Sequence, residues 1–162
     1  MIQMKDIDEH SVLHPETVVR VLFPGNVRQH FVHKGDLIFR SRGQTYSAAL
    51  VTREPLSSVV ASPMMLIRPR REIVDPAYLR WFLNQQTTHK SLESVAAGTA
   101  VKMISKAELG KLQVPVPPLD TQRKIVEIAE LMEREAMLSA QAARLRQQLI
   151  ETTLMREATQ ER

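Results

Sequence analysis

Residues 119–162 contain neither glycine nor proline, whereas all five glycines and all nine prolines of the 162-residue chain lie before them. The change falls at Val114-Pro115-Val116-Pro117-Pro118. Proline fixes its own φ and drives its predecessor towards extended geometry, so this segment is a stiff lead into the tail. The tail itself is rich in Ala, Leu, Met, Gln, Glu and Arg, the strongest helix formers. It is therefore expected to be one long helix, capped or opened by Asp120 or Thr121. From Thr121 to Ala158 it would be about 57 Å long at the α-helical rise. Alternating steps of four and three from Lys124 reach Ile128, Leu131, Glu135, Leu138, Ala142, Leu145, Leu149 and Thr152. Ile128, Leu131, Leu138, Ala142, Leu145 and Leu149 form an apolar stripe with the spacing of a coiled-coil seam. A domain built from residues 1–118 would be only about 35 Å across. Part of the helix must then project, and a projecting apolar stripe needs a partner.

Charge is uneven along the chain. The net charge is +4 and the pI about 9.7. Residues 1–112 hold fifteen Lys and Arg against ten Asp and Glu, and residues 113–162 hold seven against eight. The window 20–71 is sharper, with nine Lys and Arg against Asp36 and Glu54 alone. Arginine suits phosphates and guanine edges through its planar fork, so this block is a candidate polyanion surface, although a solvated face also fits. The longest apolar runs, such as Met64–Ile67, are too short to span a bilayer, and the N-terminal sequence lacks the pattern of a secretory signal. The chain has no cysteine, which excludes disulfides, thiolate metal sites and a cysteine nucleophile. A cytoplasmic location is the expectation.

Residues 1–118 read as mixed, with strands prominent. Val18–Phe23 is β-rich and stops at Pro24-Gly25-Asn26. His30–His33, the turn Lys34-Gly35-Asp36 and Leu37–Arg40 read as strand, turn, strand, with Asp36 as a turn former. Residues 47–51 and 57–61 are further strand candidates, as is Met65-Leu66-Ile67-Arg68-Pro69, stopped by Pro69. Asp75-Pro76 opens a helix to Asn84, with Asp75 as N-cap and Tyr78, Leu79, Phe82 and Leu83 on one face. Ser105 and Glu108 have capping-box spacing.

Catalytic patterns are scarce. The sequence has no phosphate loop, dinucleotide fingerprint or nucleophile elbow. His10 and His14 stand four apart, and His30 and His33 three apart, but neither pair belongs to a zinc pattern. The carboxylates before the tail are scattered. No enzyme activity, cofactor or metal is expected. The stretch from Arg40 to Tyr46 contains Arg, Gln, Thr and Tyr, residue types that read base edges and grip phosphates. A solvated turn fits the same stretch.

Several of these pieces also occur together elsewhere. Gly35-Asp36-Leu37-Ile38-Phe39-Arg40-Ser41-Arg42-Gly43, the helix Tyr78–Asn84, Gly98–Ile104, and Leu109–Gln122 with its Pro-Pro-Leu-x-x-Gln junction resemble, in order and spacing, the target-recognition domains of type I restriction–modification specificity subunits. The resemblance spans about residues 31–150. It implies an α+β fold: a β-rich target-recognition domain over residues 1–118, then a long C-terminal spacer helix over 119–162. The family's subunits are non-catalytic and read a split DNA site with two such domains. This chain carries one domain and one helix, as a half-size subunit, a truncated product or a relative with altered partners would. The unpaired seam at Leu138, Ala142, Leu145 and Leu149 leads to the expectation of a homodimer on a two-fold axis. The implied partners are double-stranded DNA, a methyltransferase (modification) subunit and a motor (restriction) subunit. Arg40, Arg42, Gln44 and Tyr46 are the first candidates for DNA contact. Arg20, Arg28, Arg53, Arg68, Arg70, Arg71 and Lys102 are candidates for phosphate contact. An adaptor or decoy that binds the other subunits without reading DNA is the alternative.

Overall fold

A computed structural model of the chain describes all residues except Glu9, Pro24, Gln44, Thr45, Pro55, Leu56, 97–102, 161 and 162. Strands β1 (Leu37–Arg40), β2 (Ser47–Leu50) and β3 (Met64–Ile67) form one antiparallel sheet in the order β2-β1-β3. Leu37 pairs with Leu50 on one side and Ile67 on the other, and Arg40 pairs with Ser47 and Met64. Helices α1 (Pro76–Leu83), α2 (Gln86–Ala96), α3 (Lys106–Leu109) and α4 (Leu119–Gln160) come after the sheet. The fold is α+β. No helix among the described residues is long and apolar enough to cross a membrane.

The alternation of β1 and β2 divides the core in two. Leu37, Phe39, Tyr46 and Ala48 point to one face, where they meet Leu79, Leu83, Leu92 and Ile104. Ile38, Ala49 and Val51 point to the other, where they meet Ile2, Ile7, Val32 and Met64. Helices therefore cover one face, and the N-terminal segment lies across the other as a strap.

Local signals account for the helix ends. Asp75 accepts hydrogen bonds from the Ala77 and Tyr78 N–H groups, with Pro76 in the first helical position. Ser105 and Glu108 form the capping box, and Glu108 accepts from the Ser105 N–H at 2.5 Å. Gly35 has φ +85°, a left-handed turn conformation favouring glycine, and the adjacent Arg71 guanidinium occupies the space a Cβ would need. Helix α4 starts at Leu119, so neither Asp120 nor Thr121 is its cap. The Thr121 and Gln122 N–H groups instead donate to Pro118 O.

Three strand expectations are corrected. Val18–Phe23 forms no strand, because no neighbouring strand pairs with it, and Leu22 is 99% exposed. His30 ends a short 3-10 helix, Arg28–His30, and no ladder forms before the Gly35 turn. Residues 57–61 contribute one isolated parallel bridge, Ile2 with Val60. β-branched composition alone does not make a strand; the ladder needs a partner edge.

The chain divides into two compact units, Met1–Arg123 and Lys124–Arg162. In the second, every side chain described from Leu131 onward is exposed.

Candidate nucleic-acid interface

Not every cation of the basic block at residues 20–71 is free of internal partners. The structure gives two of its arginines internal work. Arg40 ends β1, and its guanidinium donates to the Met4 and Ile7 carbonyls, pinning the strap to the sheet (2.9 Å to Met4 O). Burial lowers its pKa, with Asp8 acting weakly in the other direction. Arg68, just past β3, makes a two-point contact with Asp36: Nε to Oδ1 at 2.9 Å and Nη2 to Oδ2 at 2.7 Å. Its Nη2 also donates to Phe31 O. Asp36 is buried and accepts the His33 N–H at 2.8 Å, so it is the turn former expected from the sequence. Burial acts to raise the Asp36 pKa. The bonds from Arg68 and His33 outweigh it, and the carboxyl titrates below its ordinary value. The same contact raises Arg68.

Tyr46 is internal as well. It is 3% exposed and stacks on Phe39 with ring centroids 6.5 Å apart. Burial pushes its phenol pKa up, with Glu93 and Glu108 adding to the shift. Arg40 and Tyr46, expected at the DNA surface, thus both make internal contacts. Both alternate inward on a short sheet whose two faces are covered.

The remaining arginines have a different character. Arg20, Arg28, Arg42, Arg53, Arg70 and Arg71 are exposed. None forms an ion pair among the described residues. Arg42 stands on an isolated bridge to Met103, and the neighbouring Ser41 O accepts the Ile104 N–H at 2.8 Å. Ser41 and Ile104 are buried, so Arg42 is presented from a firm base. Arg20 and Arg53 line a groove of about 1060 Å3 beside the apolar Val18, Val21, Phe23 and Val59. Gln44 and Lys102 lie outside the described residues. On α4, Ile128, Leu131, Leu138, Leu145 and Leu149 are 57–67% exposed, and Ala142 is exposed too.

Two side chains that sequence reasoning passed over set the frame. Gln122 is fully buried in the first turn of α4. Its Oε1 accepts the Asp75 N–H at 2.8 Å, and its Nε2 donates to Ile73 O at 2.9 Å and Pro117 O at 2.7 Å. Gln122 ends the Pro-Pro-Leu-x-x-Gln junction, which was the available signal. Asn84, after α1, grips the outer edge of β2: its Oδ1 accepts the Ala48 N–H and its Nδ2 donates to Ala48 O. No sequence signal marked it.

The described residues hold no group of three or more His, Asp or Glu side chains placed to bind a metal ion.

Comparison with known proteins agrees with this architecture. A search of curated proteins found no match. Among solved structures, the chain is similar to the HsdS subunit from Thermoanaerobacter tengcongensis, with 26% identity and a TM-score of 0.57, over 67% of this chain and 28% of that one. A second structure, described as the structural basis of complex assembly and conformational transition of the type I R-M system, shares the fold at 21% identity and a TM-score of 0.66, over 82% of this chain and 35% of that one. The chain spans about a third of the length of each of these structures. The family model of the type I restriction modification DNA specificity domain matches residues 12–142. The chain, with its capped three-stranded sheet and its Gln122-anchored helix, belongs to that family.

Proposed function

We propose that this chain is a sequence-reading, non-catalytic half of a type I restriction–modification specificity subunit. Residues 1–118 bind duplex DNA, and residues 119–162 pair with a second copy. The pair then docks a methyltransferase subunit and, through the assembly, the motor subunit. The observation that carries the DNA reading is the set of exposed arginines with no ion pair among the described residues (Arg20, Arg28, Arg42, Arg53, Arg70 and Arg71) on a domain of this family. The exposed seam from Ile128 to Leu149 supports pairing. In a parallel, in-register pair Glu135 would face its own copy, so an antiparallel arrangement is favoured. Two identical readers on a two-fold axis select an interrupted palindrome.

The test is selection from a library of random duplexes with the full chain, alone and with its methyltransferase. A two-part palindromic consensus is the expected result. Retention of duplexes without any consensus in either condition refutes sequence reading.

A second reading is an adaptor that occupies the other subunits without reading DNA. The inward placement of Arg40 and Tyr46 favours it, because it removes two groups from the reading surface. Tight binding to the methyltransferase with no duplex affinity would select this reading.

A further inference from the structure

Of the two histidine pairs in the sequence, His10 and His14 lie in the strap that covers one face of the sheet. Asp8 and Val12 face each other across a turn of the strap. The Asp8 N–H donates to Val12 O at 3.0 Å, and the Asp8 carboxylate accepts the His10 and Val12 N–H groups at 2.9 and 2.8 Å. Ser11 in this turn has φ +59°, a left-handed conformation that is unfavourable for a residue with a Cβ, and it is 7% exposed. Something must hold the turn. His14 Nε2 lies 2.9 Å from Asp8 Oδ2, and His14 Nδ1 lies 3.1 Å from Glu16 Oε1.

Both ring nitrogens therefore face carboxylate oxygens. A neutral imidazole has one N–H, so it can donate to only one of them and must set a lone pair against the other. The imidazolium donates to both. We infer that His14 is a proton-operated clasp on the N-terminal strap: protonated, it ties Asp8 on one side of the turn to Glu16 on the other, and neutral, it lets one of them go.

Among the described residues around it, the His14 N–H donates to Asp6 O, while the Asp6 carboxylate is held by the Gln3 N–H and the Thr17 hydroxyl. Arg40 faces Asp8 electrostatically, Arg53 faces Glu16, and His10 lies on the same turn. Hydrogen bonds to Asp8, then to Glu16, raise the His14 pKa above its ordinary 6.5. The bond from His14 is the first cause lowering Asp8. For Glu16, its own backbone N–H comes first and His14 second.

These directions set a window. A raised imidazole pKa gives stabilisation that is complete below 6.5 and lost as pH rises through the folded-state value. Lowered carboxyl pKa values give stabilisation that is present above the ordinary 3.8 of Asp8 and 4.5 of Glu16 and lost as pH falls through their folded-state values. The clasp is tightest between the two limits.

The test is a proton NMR titration of the full chain, with the His14 ring assigned by its disappearance in His14→Gln. Hydrogen exchange of the Asp8 and His14 amides, corrected for intrinsic rate, is followed across the same pH range. Titration of His14 above 6.5, a fall in protection through that value, and loss of the step in His14→Gln are expected. Glu16→Gln, at an exposed side chain, should move the His14 pKa down, and it carries the test if His14→Gln does not fold. A His14 pKa at or below 6.5, an unchanged pKa in Glu16→Gln, or a step that survives in His14→Gln overturns the inference.

Discussion

Replacing Gln122 with alanine should be among the most damaging single changes in the chain. The side chain is fully buried and makes three hydrogen bonds, all to main-chain groups: the Asp75 N–H, Ile73 O and Pro117 O. Truncation orphans all three. If water enters and re-solvates them, each lost bond costs about 1 kcal/mol; if it does not, each orphaned group costs roughly 1–3 kcal/mol. The total is about 3 kcal/mol with re-solvation and up to ~9 kcal/mol without it, a large share of the ~5–15 kcal/mol by which domains of this size are stable. Urea unfolding followed by circular dichroism measures it. With a slope of ~2 kcal/mol per molar, the midpoint should fall by at least ~1.5 M with the slope unchanged. Gln113→Ala, at an exposed glutamine nine residues earlier, is the control and should lie within ~0.5 kcal/mol of the parent. Gln122→Glu should be at least as harmful as Gln122→Ala at neutral pH, because a carboxylate would face two carbonyls. A Gln122→Ala midpoint within ~0.5 M of the parent would refute the assignment of Gln122 as the tie between α4, Pro117 and the start of α1.

Other perturbations probe the remaining contacts. Leu145→Asp with Leu149→Asp should convert a dimer to a monomer by light scattering, and an unchanged mass counts against the seam. Asp36→Asn should destabilise the domain by about 2 kcal/mol, because it weakens a charge-assisted pair with Arg68. Since the Asp36 pKa is lowered on folding, the parent should lose this contribution as pH falls through the folded-state value, and the variant should show no such acid-side loss. Duplex affinity should fall with salt. Of the nine Lys and Arg in the 20–71 window, Arg40 and Arg68 have internal partners, leaving seven, so the log–log slope should be no steeper than about −6. A slope near zero would reject phosphate contact by this block.

Much of the fold is legible from local patterns. The caps at Asp75 and Ser105, the Gly35 turn, strands 37–40 and 47–50, and the long helix after Pro118 arise from chemistry that neighbours in sequence supply. Features set by distant partners were less legible. Val18–Phe23 has strand composition, but nothing in its own sequence says that no edge awaits it. The sheet order, and the strap over residues 38, 49 and 51, depend on pairings between distant segments. The candidate interface divided along the same line. Residue type marked Arg40 and Arg68 as cations, but not that carbonyls at residues 4, 7 and 31 and a carboxylate at 36 would claim them. Tyr46 read as polar because its neighbours are polar, whereas strand alternation turns its ring inward beside Phe39.

Asn84 has a consequence for how this small sheet keeps to itself. The outer edge of β2 meets an amide that mimics a neighbouring strand for a single residue and offers nothing beyond it. A plug of this kind stops propagation: an incoming chain finds the Ala48 donor and acceptor already engaged and cannot zip along the edge. Asn84 thereby guards the β2 edge against pairing with another chain.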